Sequence, residues 1–207
     1  MSPKDRPARR PRMKAPEREK LILEEAIRFF AEHGFEGQTR ELAKRVGIAH
    51  SALYRHFPSK EALIERVYEQ VFLSRWNPEW EIWLKDRSTP LEERLIQFYL
   101  AYAERIFHYD WVRIFVFSGM RSHNITGRYL AIIREKLVLP VARELREARG
   151  QRGEITELDE ETVWALHGQI FYIAIRKFVY GTPVPADVGP TVASHVRVFL
   201  RGALSTR

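Results

Sequence analysis

The 207-residue sequence contains no cysteine, which excludes a disulfide framework, thiolate chemistry and a cysteine-based zinc site. The N-terminus has no apolar signal segment, and no run approaches the roughly 18 apolar residues needed to span a bilayer. The apolar run over residues 170–175, for example, is followed at once by Arg176 and Lys177. We therefore expect a cytoplasmic protein that does not enter a membrane.

Strand signals are also scarce, because the sequence has no Asn-Gly hairpin turn and no sustained polar–apolar alternation. Apolar residues instead recur at helical spacing, which predicts an all-α fold. The predicted helices cover about residues 16–33, 59–76, 90–108, 110–119, 125–149, 157–180 and 187–204. The seven histidines are scattered, and no His-Glu-x-x-His pattern occurs. We expect no metal site and no cofactor, which disfavours a helical enzyme.

The positive charge is concentrated at the N-terminal end. Residues 1–60 hold 14 Lys and Arg against 8 Asp and Glu, whereas residues 61–207 hold 20 against 19. Residues 1–16 combine four prolines with six cationic side chains and show no apolar periodicity, which predicts a disordered basic arm. Two roles remain open for this arm: it reaches the DNA backbone or minor groove, or it is a solvated tail without a fixed role.

Residues 38–60 have the pattern of a helix-turn-helix. Leu42, Ala43 and Val46 share one face of a first short helix, and Leu53 and Phe57 share one face of a second. Gly47 lies between the two helices, where a left-handed residue ends a helix without a Cβ penalty. The outward side chains of the second helix are small, polar or cationic, namely His50, Ser51, Ala52, Tyr54, Arg55 and His56. Such a helix suits the DNA major groove; a helical hairpin with a solvated polar face is the alternative.

The block from Arg18 to Leu63 resembles the DNA-binding domain of the TetR family of transcriptional regulators. The matching positions are Ala26, Phe30, Gly34-Phe35, Leu42-Ala43, Gly47-Ile48, Leu53-Tyr54, His56-Phe57, Ser59-Lys60-Glu61 and Leu63. The resemblance implies a three-helix DNA-binding domain with a helix-turn-helix over residues 17–63. It also implies a larger helical ligand-binding and dimerisation domain over residues 64–207.

The resemblance also implies roles at the DNA. Phosphate contacts would come from Thr39, Tyr54, His56 and Lys60, and base contacts from Arg40, His50, Ser51, Ala52 and Arg55. The alternative for Tyr54 is a place in the core, and for His56 simple exposure. Gln38 and Ala49 stand where the family commonly has a hydroxyl residue before each helix. Both are poorer N-caps, at a cost of about 1 kcal/mol each.

A single helix-turn-helix covers only a half-site, so we expect a homodimer on a palindromic double-stranded operator. The two C-terminal helices are the predicted dimer interface, which the family forms as a four-helix bundle. Their apolar stripes contain Val163, Leu166, Ile170, Ile173 or Ala174 and Lys177 in the first helix, and Val188, Val192, His195-Val196, Phe199 and Ala203 in the second. The alternative is that both stripes face the core of their own chain.

The middle of the chain is rich in aromatic residues, and the family uses this domain to enclose a small effector. The predicted ligand-binding residues are Trp80, Trp83, Phe98, Tyr102, Trp111, Phe115, Tyr129 and Arg176. Such a lining suits an apolar or aromatic effector, although large rings also fill ordinary helical cores. The expected function is a sequence-specific homodimeric repressor released from DNA by a small molecule. The alternative is a helical DNA-binding or partner-binding protein without an effector.

Overall fold

The computed structural model describes residues 14–120 and 124–205, and within these ranges every regular element is helical, which confirms the all-α prediction. The helices are α1 (Ala15–His33), α2 (Thr39–Val46), α3 (His50–His56), α4 (Lys60–Val71), α5 (Glu79–Lys85), α6 (Leu91–Ile106), α7 (Tyr109–Gly119), α8 (Ile125–Ile133), α9 (Leu139–Ala148), α10 (Glu157–Phe178) and α11 (Gly189–Leu204). A helix able to cross a membrane is not found in these two ranges. Residues 1–13 of the predicted basic arm lie outside them, and Ala15 already belongs to α1.

Helices α1, α2 and α3 form an N-terminal unit because their apolar faces share one core. In α1, Ile22, Ala26 and Phe30 are fully buried at helical spacing. Helix α1 is capped by Gly34, whose φ of 67° lies in the region that favours glycine and whose N–H donates to the Phe30 carbonyl at 2.9 Å. Each large apolar side chain buried in this core stabilises it by roughly 1.5–3 kcal/mol.

The segment after α4 differs from the prediction. A single helix to about Trp76 was expected, but α4 ends at Val71 and a 3₁₀ turn covers Leu73–Arg75. The Ser74 hydroxyl donates to the Gln70 carbonyl at 2.5 Å, and the Arg75 guanidinium reaches Asp110 at 2.7 Å. A serine hydroxyl bonded to the carbonyl four residues back often bends a helix, which agrees with the change from α-helix to 3₁₀ turn near Ser74.

Helix α5 was missed by the sequence analysis. It begins after Pro78, carries Glu79 and Glu81 in its first turn, and buries Trp80 and Leu84. A proline and acidic residues are typical of a helix start, so the signal was present but short.

The predicted helix over residues 125–149 is interrupted by a π-helical turn at Arg134–Val138 between α8 and α9. Pro140 lies in the first turn of α9 and lacks an N–H, so the regular hydrogen-bond ladder cannot pass through it. Leu137 and Val138 in this turn are fully buried, so the interruption serves packing against the neighbouring helices.

Most residues of the predicted dimerisation stripes face the core of their own chain, so for these the alternative holds, whereas Lys177 is exposed and Val188, His195 and Phe199 are half-buried. Five residues of the α10 stripe are buried, namely Val163, Leu166, Ile170, Ile173 and Ala174, and in α11 so are Val192, Val196 and Ala203. Helix α10 packs against α7, α9 and α11 of the same chain, which explains this burial. Other apolar side chains of these two helices remain outside: Leu158, Tyr172 and Val198 are exposed by 76%, 52% and 64%.

Helix α7 joins the N-terminal unit to the rest of the molecule. The Arg113 Nε donates to the Ala31 carbonyl of α1 at 2.6 Å, and its Nη1 donates to the Phe178 carbonyl of α10 at 3.4 Å. A second link runs from α4 to α8, where Arg128 forms a bidentate pair with Glu65 at 2.7 and 2.8 Å. The hydrogen bonds from Arg128 lower the pKa of Glu65.

Candidate nucleic-acid interface and ligand cavity

The turn between α2 and α3 has the geometry that its sequence predicts. Gly47 adopts φ 73° and ψ 35°, and its N–H donates to the Lys44 carbonyl at 3.0 Å. The Ile48 N–H donates to the Ala43 carbonyl at 3.0 Å, so the turn satisfies two of the last four carbonyls of α2. Leu42 and Leu53 are buried beneath the turn, which fixes α3 against α2.

The opposite side of this helix pair is open to solvent. Ser51, Tyr54 and Arg55 of α3 are exposed, as is Arg40 of α2. The remaining predicted DNA contacts, His50, Ala52, His56 and Lys60, are half-buried. Residues 42–60 contain no Asp or Glu, so no carboxylate of the turn or of α3 opposes a phosphate backbone.

Thr39 was predicted to contact a phosphate, but its side chain points into the protein. Its side chain is buried, and its hydroxyl lies 3.0 Å from the His50 ring nitrogen Nε2 and 3.0 Å from the Tyr54 hydroxyl. The His50 and Tyr54 rings meet edge to face at 5.0 Å. Thr39 therefore connects the start of α2 to two outward residues of α3. This connection matters because neither Gln38 nor Ala49 makes a side-chain cap bond.

The cations near the motif separate into paired and unpaired groups. Arg45 contacts Glu32 at 2.7 Å and Glu25 at 3.8 Å, and its hydrogen bond lowers the pKa of Glu32. By contrast, Arg40, Arg55 and Lys60 form no ion pair with any residue that the structure describes. Cations without an ion-pair partner are available for phosphates.

A cavity of about 180 Å³ lies in the second domain between α6, α7, α8 and α10. Four of the predicted ligand residues line it: Tyr102, Trp111, Phe115 and Tyr129. The others in its lining are Leu130, Trp164, His167, Gly168 and Phe171. Trp164, His167, Gly168 and Phe171 share one face of α10 at helical spacing, which is the signal that could have identified Trp164 and Phe171 from the sequence.

The other four predicted ligand residues do not line this cavity. Trp80 and Phe98 are fully buried behind it, where Phe98 stacks on Tyr102 with ring centroids 5.5 Å apart. Trp83 packs half-buried against the core from α5. Arg176 lies near the end of α10, with its guanidinium carbon 5.9 Å from the Tyr172 ring centroid. Helical periodicity predicts that such residues face inward, but it does not distinguish a residue packed in the core from one that lines the cavity.

Among the cavity residues, Trp111 Nε1 and His167 Nδ1 are buried without a hydrogen-bond partner among the described residues, whereas the hydroxyls of Tyr102 and Tyr129 interact with each other. Burial raises the pKa of both tyrosines, and it lowers the pKa of His167 to about 4. The lining is therefore uncharged at neutral pH.

Comparisons with known proteins agree with this architecture. Residues 22–67 match the family model for bacterial regulatory proteins of the tetR family. The chain is 36% identical over 141 residues to the nucleoid occlusion factor SlmA of Aliivibrio fischeri (strain ATCC 700601 / ES114), a match that covers 64% of this chain and 68% of that protein. The match therefore extends well beyond the helix-turn-helix.

Solved structures show the same fold. A TetR-like transcriptional regulator from Rhodococcus sp. RHA1 aligns with a TM-score of 0.68 at 18% identity, covering 92% of this chain and 100% of the other. The TetR family regulator PfmR of Thermus thermophilus aligns with a TM-score of 0.59 at 23% identity, covering 87% and 97%. The helix-turn-helix, the all-helical second domain and these matches together show that the chain belongs to the TetR family of DNA-binding transcriptional regulators.

Proposed function

We propose that the chain is a homodimeric repressor that binds a palindromic operator and releases it when a small molecule enters the cavity. The observation that carries this proposal is the outer surface of α3. It exposes Ser51, Tyr54 and Arg55 without a neighbouring carboxylate, and Thr39 holds Tyr54 and His50 in place. A helix of this kind fits the major groove.

On DNA, the exposed arginines are the base readers of this proposal. Arg40 and Arg55 suit bidentate contact with guanine, and Ala52 suits contact with a thymine methyl group. Tyr54, His56 and Lys60 bind phosphates, which position the protein without reading sequence. Thr39 acts through His50 and Tyr54, because its hydroxyl is already bonded to both.

The apolar side chains left exposed on α10 and α11 support pairing with a second copy. Leu158, Ala165 and Tyr172 recur every seven residues, which places them on one face of α10, and Val198 is exposed on α11. An exposed patch of this kind is expected at a protein interface. Two copies joined here present two α3 helices to successive major grooves.

Release by an effector requires that the cavity communicates with the DNA-binding unit. Trp111 and Phe115 face the cavity from α7, while Arg113 of the same helix bonds to the α1 backbone. Phe72, which follows α4, packs against Trp111 with ring centroids 4.9 Å apart. A ligand that binds unequally to two positions of α7 therefore shifts α1 and α4 as well.

The experiment is selection of chromosomal fragments by the purified protein, followed by affinity measurements over a range of salt concentrations. We expect a preferred palindromic site and a steep loss of affinity with salt. Lys60→Ala should weaken all sequences alike and reduce the salt slope by about 1, whereas Arg40→Ala should also relax the sequence preference. Absence of any preferred site would reject the repressor function.

A second candidate is a nucleoid occlusion factor that acts without a small-molecule effector. The observation that favours it is the 36% identity over 141 residues to SlmA of Aliivibrio fischeri. The same selection separates the two functions. A repressor should enrich a few sites beside promoters, and its loss should change the level of a particular transcript; enrichment of sites without any such change would favour the second candidate.

A further inference from the structure

We infer that His50 is a specificity-determining residue whose preferred base changes with pH. Its ring nitrogen Nδ1 accepts a hydrogen bond from adenine or cytosine when the ring is neutral, and donates one to guanine when the ring is protonated. This inference rests on the proposed operator binding and names how one base pair of each half-site is read. Three observations lead to it: the bonds of Thr39, the open side of the His50 ring, and the groups around that ring.

The Thr39 hydroxyl joins His50 and Tyr54 into a chain of two hydrogen bonds. Thr39 Oγ1 lies 3.0 Å from His50 Nε2 and 3.0 Å from the Tyr54 hydroxyl. A threonine hydroxyl has a single proton to donate. Thr39 therefore donates to one of these neighbours and accepts from the other, so the chain runs in one of two directions.

A phosphate bound by Tyr54 selects the direction of this chain. If Tyr54 donated to Thr39, its hydroxyl would have no proton left for a phosphate oxygen, which only accepts. A Tyr54 hydroxyl that donates to DNA therefore accepts from Thr39, and Thr39 in turn accepts from His50. In this direction Nε2 carries the proton of the neutral His50 ring, and Nδ1 is left bare as an acceptor.

The Nδ1 side of the His50 ring is open to a base. Nδ1 forms no hydrogen bond with any residue of the described ranges, and it is not one of their buried atoms. His50 is the first residue of α3, and the N-terminal residues of such a helix contact base edges. In the major groove adenine and cytosine each present an amino group that donates, whereas guanine presents two acceptors. A bare Nδ1 therefore favours adenine or cytosine, and a protonated ring, which donates from both nitrogens, favours guanine.

The groups in contact with the His50 ring do not fix its charge. Among the described residues these groups are Thr39 from α2 and Tyr54 from α3, and both side chains are neutral. The only acid on these two helices is Glu41, which lies 3.9 Å from Lys44. The other titratable side chains of the two helices are Arg40, Arg45, Arg55 and His56. Histidine changes charge between about pH 5 and 8, so pH exchanges the two forms of the ring.

The test is a selection of preferred sites from a randomised double-stranded DNA library by the full-length protein, at about pH 5.5 and about pH 8. We expect one base pair in each half-site to change from adenine or cytosine at the higher pH to guanine at the lower pH. The change in preference should be roughly fivefold, the effect of one hydrogen bond. An identical preferred site at both pH values would overturn the inference and leave the repressor function intact. Absence of any preferred site at either pH would reject the repressor function, and the inference with it.

Two glutamine variants assign the change to His50. The amide in His50→Gln donates and accepts at every pH, so its preferred site should be the same under both conditions. His56→Gln is the matched control, because His56 is also a half-buried histidine of α3 but is not bonded to Thr39. This control should keep the change of base. A pH-dependent site in His50→Gln, or a pH-independent site in His56→Gln, would contradict the assignment.

Tyr54→Phe tests the direction of the hydrogen-bond chain. It removes the acceptor of the Thr39 proton, so Thr39 should donate to His50 Nε2, and the neutral ring then carries its proton on Nδ1. Guanine should therefore be preferred at both pH values, in addition to the general loss of affinity from a missing phosphate contact. Nitrogen-15 NMR of the His50 ring, bound to the selected duplex at the higher pH, should show the proton on Nε2 in the wild type and on Nδ1 in Tyr54→Phe. A wild-type ring with a bare Nε2 would overturn the inference.

Discussion

At the residue scale, Thr39 shows how a buried hydroxyl can support recognition without touching DNA. Its Oγ1 lies 3.0 Å from both His50 Nε2 and the Tyr54 hydroxyl. The two outward rings therefore start from a fixed arrangement. A fixed arrangement lowers the entropy cost of binding, because fewer rotamers are lost on contact.

Thr39→Val should weaken operator binding about fivefold, because the His50 and Tyr54 rings lose their fixed arrangement, and should lower the free energy of unfolding by about 1 kcal/mol, the usual net value of one hydrogen-bonding group. Fluorescence anisotropy at constant salt gives the affinity. Thr182→Val is the control, because its hydroxyl also forms a hydrogen bond, to the Arg176 carbonyl, far from α3 along the chain. Equal affinity of the Thr39 variant and the wild type would show that the network has no role in binding.

His167 makes stability depend on pH. Its pKa falls from 6.5 to about 4 on burial, so below pH 6.5 the unfolded chain binds a proton that the folded chain does not. The free energy of unfolding should therefore decrease as pH falls from 6.5, by roughly 2 kcal/mol at pH 5. Urea unfolding at both pH values measures this loss.

The variant His167→Phe should remove most of this loss, whereas His108→Gln should not, because His108 is exposed. The carboxylates with lowered pKa values, such as Glu32 and Asp159, lose their contribution mainly below this window. An unchanged slope in His167→Phe would assign the pH dependence to another group.

At the element scale, the sequence predicts best those elements whose geometry depends on residues close together in the chain. Gly47 and the apolar positions around it predicted the α2–turn–α3 unit, because a left-handed glycine and buried Leu42 and Leu53 leave little choice of geometry. Helix α5 was missed because its two buried residues, Trp80 and Leu84, are too few to establish a periodicity.

Tertiary surroundings explain the other differences. The stripe with Val163 and Ile170 was correctly identified as buried, but the sequence does not say whether the covering helices belong to the same chain or to a partner. The same holds for the aromatic residues, since Phe98 and Tyr102 are both buried and only Tyr102 lines the cavity. Periodicity reports burial, not the identity of the neighbour.

Helix α7 is the element that couples the cavity to the DNA-binding unit in this proposal. In coupled systems an effector typically changes the affinity for the second ligand about 5- to 150-fold. Arg113→Gln should make this change in operator affinity several fold smaller. Ligand affinity should remain, because Arg113 does not line the cavity. Arg143→Gln, at an exposed arginine of α9, is the control. The measurement is operator affinity with and without effector, and an undiminished ratio would exclude this route.

At the scale of the whole molecule, residues 1–60 and residues 61–207 differ in net charge, in line with their proposed roles. The net surplus of cations lies in residues 1–60, and the remainder is nearly balanced at 20 cations to 19 acids. Phosphate attraction therefore acts mainly on the N-terminal unit, while the exposed apolar side chains of α10 and α11 remain for a second copy.

Tyr172→Glu should convert the dimer to a monomer, because it places a charge on the exposed apolar face of α10. Sedimentation velocity gives the mass, and operator affinity should fall together with dimerisation. Ile82→Glu is the control, since Ile82 is exposed by 67% on α5. A Tyr172→Glu protein with the mass of the wild type would place the interface elsewhere.

The most direct measurement attaches a DNA-cleaving iron chelate to the outer face of α3. The chain contains no cysteine, so Ser51→Cys provides a unique attachment point, and Ile82→Cys provides the control. We predict cleavage of the operator at two positions about 34–36 Å apart, facing adjacent major grooves. A cleavage pattern from Ser51→Cys that matches the Ile82→Cys pattern would contradict the assignment of α3 to the DNA.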